Sequence, residues 1–331
     1  MKHWRTITIL LIVLSPVLAA SAQTQETIVP NVVRLLDEPI IQPEMDARMG
    51  SNIQGPSLIR VPDWVENPLG KYYLYFADHR GDYIRLAYAD SLTGPWQIHS
   101  AGTLTLEQSF FPTTCPPCSV PEGSSSPAYA HIASPDVHVR EDLQQIVMYV
   151  HGRDPRQQVT RYATSRDGVH FEGHPEVMGK PYFRVFEYGD FHYGLAMPGF
   201  LYRSRDGITP FEEGPRFFND DMRHSAVLVR DNELYVFWTQ VGHVPERILM
   251  SRISMDGDWQ QWQESAAVEV LRPQREWEGA SLPLEASVRG DITVPANQLR
   301  DPTIFEEDGE VYLLYSVSGE SGIAIARLEF E

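Results

Sequence analysis

The strongest constraint on this chain is a layout repeated five times along it. First strands begin at "GPSLIRV" (Gly55), "SPDVHV" (Ser134), "YFRVFE" (Tyr182), "RHSAVLV" (Arg223) and "RDPTIF" (Arg300). Each ends in a polar turn and leads into a second strand rich in Tyr, Leu and Val: "KYYLYFA", "QIVMYVHG", "HYGLAMP", "ELYVFW" and "EVYLLYS". A third strand follows: "YIRLAYA", "VTRYATS", "FLYRSR", "RILMSRI" and "GIAIARLEF". Four copies continue through a turn into an aromatic fourth strand: "DSLTGPWQI", "SRDGVHF", "SRDGITPF" and "SMDGDWQQW". The recurrent Ser-x-Asp-Gly turn suits a hairpin, because Gly takes positive φ and Asp bonds its local backbone.

Four short antiparallel strands repeated five times predict an all-β chain folded as a five-bladed β-propeller. The last copy lacks its fourth strand, and "ETIVPNVVRLL" (Glu26 to Leu36) is expected to supply it, closing the ring from the N-terminal side. A two-sheet sandwich is the structural alternative, but it gives no reason for the repeated turn.

The first 22 residues read as a signal peptide. Lys2 and Arg5 precede an apolar run from Ile7 to Ala20, and Ala20-Ser21-Ala22 has the form of a cleavage site. A single propeller domain over residues 23–331 is therefore expected to be exported, to the periplasm or beyond the cell. No second long apolar stretch follows, so membrane insertion is not expected. The formal charge of −18 argues against a nucleic-acid partner. Cys115 and Cys118, in a Pro/Ser-rich loop, read as a local disulfide in an oxidising compartment.

In a propeller the first strand of each blade lines the central channel, and its start lies at one mouth. That gathers Gly55–Pro56, Pro135–Asp136, Phe183–Arg184, Arg223–His224 and Arg300–Asp301, with Asp78–His79–Arg80, His151–Gly152–Arg153 and Glu320 from the loops that follow the second strands. Acids, arginines and histidines from distant sequence would form one polar, concave pocket.

"SPDVHV", "RDPTIF", "EWEGASLP" and the repeated "YYLYFA…S-x-x-G-x-W" layout resemble the five-bladed propeller glycoside hydrolases, the arabinanase, β-xylosidase and invertase group. The resemblance spans nearly all of residues 23–331 at the level of architecture. It implies hydrolysis of a glycosidic bond in an oligo- or polysaccharide by two carboxylic groups, one ionised and one protonated. Asp136 in "SPDV" matches the family's orienting Asp, and Glu278 in "WEGA" looks like the general acid. Gly55 stands where the family shows its first-blade Asp. Asp301 in "RDPTI" carries the same local motif in the fifth blade and is the expected base or nucleophile, held ionised by Arg300. Desolvation beside Trp277 would raise the pKa of Glu278. Arg300, Arg223, His224, His79, His151, Trp277 and Glu320 are the expected substrate contacts, with His224 a competing acid. The resemblance requires no cofactor and names no metal ligand, although it allows a calcium ion in the channel. A monomer is expected.

Each residue also has a structural reading. Asp301 would pair with Arg300 or Arg223, Asp136 would bond backbone amides and hold blades together, and Glu278 would be an exposed loop carboxylate. A non-catalytic carbohydrate-binding propeller, favoured by Gly55, and a protein-interaction scaffold are the alternative functions.

Overall fold

The computed structural model describes Met1 and residues 29–115, 129–155 and 157–330. The expected signal peptide, apart from Met1, and Cys118 lie outside the described residues. Cys115 is disulfide-bonded.

Five four-stranded antiparallel sheets follow one another around a ring. Strand β1 (Asn31–Arg34) is set aside by the chain until the end. The first blade is β2 (Gln54–Arg60), β3 (Tyr72–Ala77), β4 (Arg85–Ala89) and β5 (Gln97–His99). The second is β6 (Ile132–Arg140), β7 (Gln145–Arg153), β8 (Gln158–Ser165) and β9 (Glu172–Gly173). The third runs from β10 (Arg184–Tyr188) through β11 (Phe191–Ala196) and β12 (Phe200–Ser204) to β13 (Glu212–Arg216). The fourth holds β14 (Met222–Arg230), β15 (Glu233–Gln240), β16 (Ile248–Ser254) and β17 (Val268–Leu271). The fifth has β18 (Arg300–Glu307), β19 (Glu310–Ser316) and β20 (Ile323–Glu329), with β1 as its outer strand. Asn31 pairs with Glu329 and Arg34 with Ala326, so the ring closes as the sequence predicts.

The core is five wedges rather than one centre. Buried apolar residues fall into five clusters, each spanning two neighbouring blades. Strands buried on both faces, such as "YYLYFA", read as continuous apolar runs for this reason. Two of the repeated turns lock neighbouring blades together. Tyr75 Oη donates to Gly168 O at 2.7 Å, and Tyr149 Oη makes the same bond to Gly207 O, also at 2.7 Å. Within the turns, Ser165 Oγ accepts from Gly168 N, and Asp167 Oδ1 accepts from Val169 N and His170 N.

In the fourth blade the expected aromatic strand "DWQQW" is instead a 3-10 turn, Trp259–Gln261, with Asp258 accepting from Gln260 N. Trp259 and Trp262 are drawn into the wedge between the third and fourth blades, and the outer strand starts only at Val268. Burying two indoles there outweighs continuing the ladder.

Four inner strands carry a register shift at their start, at Gly55–Pro56, Ser134–Pro135, Arg223–His224 and Asp301–Pro302. Gly55, Ser134 and Asp301 are left-handed there, with φ of 64°, 48° and 46°. A bulge leaves one residue out of the ladder and re-aims its side chain. That device decides what faces the mouth of the channel.

Candidate functional site

The inner strands place Asp136 and Asp301 differently. Asp301 lies within its bulge, whereas Asp136 is one residue beyond and pairs in register with Tyr149. Its position corresponds to Ser57, and both do the same work. Ser57 Oγ accepts from Val137 N of the next blade at 2.9 Å, and Asp136 Oδ2 accepts from Val185 N of the next blade at 2.7 Å. His138 Nε2 lies 2.8 Å from the same oxygen, and Arg184 Nη1 is 3.5 Å from Asp136 Oδ1. Burial alone would raise the Asp136 carboxyl, but His138 and Arg184 overcome it and hold it below the usual range. Asp136 is thus a strut between blades, the structural reading of this residue. Arg184 itself bonds Pro135 O and Ser225 O, and Phe183 is buried in the wedge between the second and third blades rather than at the mouth.

Glu278 is 0% exposed and stands in a closed clasp. Arg34 Nε donates to its Oε1 at 2.7 Å and Arg34 Nη2 to its Oε2 at 2.9 Å. Tyr315 Oη donates at 3.0 Å, and the amides of Gln274 and Arg275 donate at 2.7 and 3.0 Å. The carboxylate is neither the solvent-facing acid nor the exposed loop carboxylate that the motif suggests. Its five donors occupy both oxygens, and it ties the ring-closing strand to the loop before the fifth blade. Trp277 packs half-buried against the wedge between the fourth and fifth blades, so it offers no face to the mouth.

Asp301 is 1% exposed and lies 2.8 Å from His224 Nδ1. Among the described residues neither of its oxygens receives a hydrogen bond of good geometry. Arg300 does not pair with it, because adjacent strand residues point to opposite sides. The Arg300 guanidinium instead bonds Gln298 Oε1 and Glu320 Oε1, the latter at 2.8 Å, and lies 3.4 Å from Glu246 Oε2. Glu320 also accepts from Asn52 Nδ2 at 2.7 Å and faces His79 Nδ1 at 3.4 Å. Burial opposes ionisation of Glu320, yet His79, Arg300 and Arg223 hold its carboxyl far below the ordinary range.

These side chains surround one cavity of about 180 Å³ at the mouth. His79, His131 and His224 reach it, with Tyr129 and Tyr182 and the arginines Arg153, Arg223 and Arg289. Among the described residues no carboxylate lines it. The acids stand one layer back: Glu320 behind His79, Asp301 behind His224, and Glu246 3.5 Å behind Arg223. His151 is buried beneath, its ring stacked on Tyr182 at 4.0 Å, and Tyr182 tilts against His224 at 4.9 Å. Burial pushes His131 down to about 4, with its Nδ1 donating to Tyr129 O at 3.2 Å. Burial, with His131 and His79 nearby, pushes His151 well below its ordinary range. Burial also lowers His224, outweighing the opposing pull of Asp301. Burial and the Asp301 charge raise Tyr182, which keeps its hydroxyl protonated. The cavity therefore presents the neutral imidazoles of His131 and His224, a phenol and fixed positive charge.

Of the expected contacts, the structure brings His79, Arg223 and His224 to the cavity wall, Arg300, Glu320 and Asp301 directly behind it, and His151 under its floor. It leaves Asp136, Glu278 and Trp277 elsewhere. Tyr129, His131, Tyr182 and Arg289 were not singled out from sequence. Tyr182 opens the third-blade segment "YFRVFE" and was the one with a legible position; the others sit in irregular segments that carry no spacing signal. Among the described residues no three His, Cys, Asp or Glu side chains converge as metal ligands.

No family model matches the sequence. The chain is 36% identical over 304 residues to the uncharacterized protein R118 of Acanthamoeba polyphaga mimivirus, covering 84% of this chain and 83% of that one. Among solved structures, a glycosyl hydrolase from Bacteroides ovatus superposes with a TM-score of 0.60 at 12% identity, covering 91% of this chain and 94% of that chain. A structure from the GH130 family of mannoside phosphorylases, which contains glycoside hydrolases targeting β-1,2 mannosidic linkages in Candida mannan, gives 0.59 at 13%, covering 92% and 95%. A thermostable family-43 glycoside hydrolase gives 0.55 at 12%, covering 85% and 90%. At such identities the likeness establishes the five-bladed propeller fold that these enzymes share.

Proposed function

The chain belongs to one family with the mimivirus protein, and from that premise and its fold we propose that it is an exported, carbohydrate-active enzyme that hydrolyses a glycosidic bond without a cofactor. The observation that carries this reading is the pair of histidines on one cavity wall, each backed by a buried carboxylate: His224 with Asp301 and His79 with Glu320. It departs from the two-carboxylate scheme, because no acid among the described residues lines the cavity.

His224, kept neutral by burial, has the state a general base needs. It takes a proton from the water that attacks the anomeric carbon, and Asp301 stabilises the imidazolium so formed, as the carboxylate behind a catalytic histidine does. Asp301 is thus a positioning residue. His79, with the ionised Glu320 3.4 Å behind it, is the donor to the leaving oxygen. His224 then releases its proton to solvent and His79 regains one from solvent, so the net change is addition of water across the bond, and atoms and protons balance. Tyr182, held protonated, donates to a sugar hydroxyl.

The test is reducing-end release from a panel of oligo- and polysaccharides by the mature chain, beside His224→Gln and Asp301→Asn. Loss of general base function should cost about 10²–10⁴ in kcat. Release that persists in both variants overturns the assignment. A second reading, a non-catalytic saccharide-binding propeller, is favoured by Gly55 at the position of the family's first-blade Asp, and it predicts binding without release by the wild type.

A further inference from the structure

We propose that the cavity selects saccharides bearing an anionic substituent, a uronate carboxylate or a sulfate ester, and that Arg289 is the residue that reads it. This rests on the saccharide reading of the same site. The chain as a whole is strongly acidic, at −18, yet among the described residues the wall of this cavity carries three guanidinium groups and no carboxylate, the buried acids standing one layer behind it. A neutral sugar needs no such inversion of local charge. A substrate anion does, because an unpaired charge is expensive to bring into a half-enclosed site.

The loop carrying Arg289 is built to hold it there. Arg223 Nη1 donates to Val288 O at 3.1 Å and Arg223 Nη2 to Gly290 O at 3.2 Å, so one buried guanidinium grips the carbonyls on both sides of Arg289. Arg300 Nη1 donates to Gly290 O as well, at 3.2 Å. Gly290 is left-handed, with φ of 103°, which only glycine adopts easily and which lets its carbonyl turn toward both arginines. Glu246, fully buried between Arg223 and Arg300 at 3.5 and 3.4 Å, balances part of their charge.

The Arg289 side chain remains 46% exposed at the rim. Its Nη2 is tethered to Asp220 O at 2.7 Å, while Asp221 stands 3.8 Å away and is itself largely exposed, which makes that pair weak. Two buried arginines thus serve as a fixed mount for a third that faces solvent. Holding the fork in place before binding removes most of the ordering cost of a two-point contact with carboxylate or sulfate oxygens.

Calorimetric titration of the full-length mature protein tests this with four probes: galacturonate trisaccharide, a sulfated carrageenan tetrasaccharide, xylotriose and arabinotriose, each at low and raised salt. At least one charged probe should bind ten- to a hundredfold more tightly than both neutral ones, the span expected for one hydrogen-bonded charge contact, and should weaken with salt. Which charged probe binds separates carboxylate from sulfate. Arg289→Gln should lose about tenfold for that probe with an unchanged Tm, and Arg289→Lys should recover only part of it, since lysine keeps the charge without the fork. Equal or tighter binding of the neutral sugars, no binding of any probe, or an unchanged affinity in Arg289→Gln would overturn the proposal. Charged-probe binding without bond cleavage would sink the hydrolase reading and leave this one standing; cleavage confined to neutral glycans would do the reverse.

Discussion

Replacing Glu278 by Gln separates a clasp from a catalyst. The carboxylate receives five donors, two from Arg34, one from Tyr315 and two from backbone amides, while fully shielded from water. Gln keeps the shape but turns one acceptor oxygen into an NH₂ donor. Whichever way the amide is flipped, its NH₂ faces an Arg34 N–H, and at the Oε2 position it faces the Gln274 and Arg275 amides as well. Each buried donor left unsatisfied costs about 1–3 kcal/mol, and Arg34, 11% exposed, loses its counter-charge. The sum is about 3–5 kcal/mol, in line with breaking a buried ion pair from one side. For a domain of roughly 300 residues this corresponds to a fall in Tm of about 5–10 °C. The assay is a thermal melt of the variant beside wild type, paired with the turnover assay at a temperature where both are folded. Arg34→Gln should lose a similar amount, and the double variant clearly less than the sum. An unchanged Tm together with lost turnover would refute the reasoning and return Glu278 to the role of acid that its "WEGA" context implies.

Stability should fall as pH drops from about 6.5 to about 4, because folded His131 takes its proton only near 4 whereas the unfolded chain does so near 6.5. Between those values the unfolded state binds more protons; the cost reaches about 3 kcal/mol at the lower end, and a Tm that stays flat between pH 7 and 4.5 would contradict the buried neutral imidazole. Gly55→Asp should not restore the family's first-blade acid, since a Cβ there meets Ser134 Cα at 2.9 Å and Ser134 Oγ at 3.0 Å. The expected loss is about 1–3 kcal/mol by denaturant unfolding with no gain in turnover; a variant as stable as wild type would show that the blades can part there.

The blade count, the strand order and the closing strand from Asn31 to Arg34 were legible in the sequence because strand periodicity and turn chemistry are local. The Ser-x-Asp-Gly turns were legible for the same reason. The fourth-blade strand was misplaced because the two indoles of "DWQQW" are pulled into a wedge formed with another blade, a contact no local window contains.

The sequence alone determined that this chain builds five four-stranded blades and that histidines, arginines and acids gather near one mouth, since repetition dictates both. Only the tertiary structure decided which of them face the cavity. A bulge shifts Asp301 out of its ladder and leaves Asp136 in its own, strand alternation turns Arg300 toward Glu320, and Arg34 from the far end of the chain claims Glu278. Those outcomes depend on single-residue register and on partners hundreds of positions away, and buried charges settle wherever such partners satisfy them.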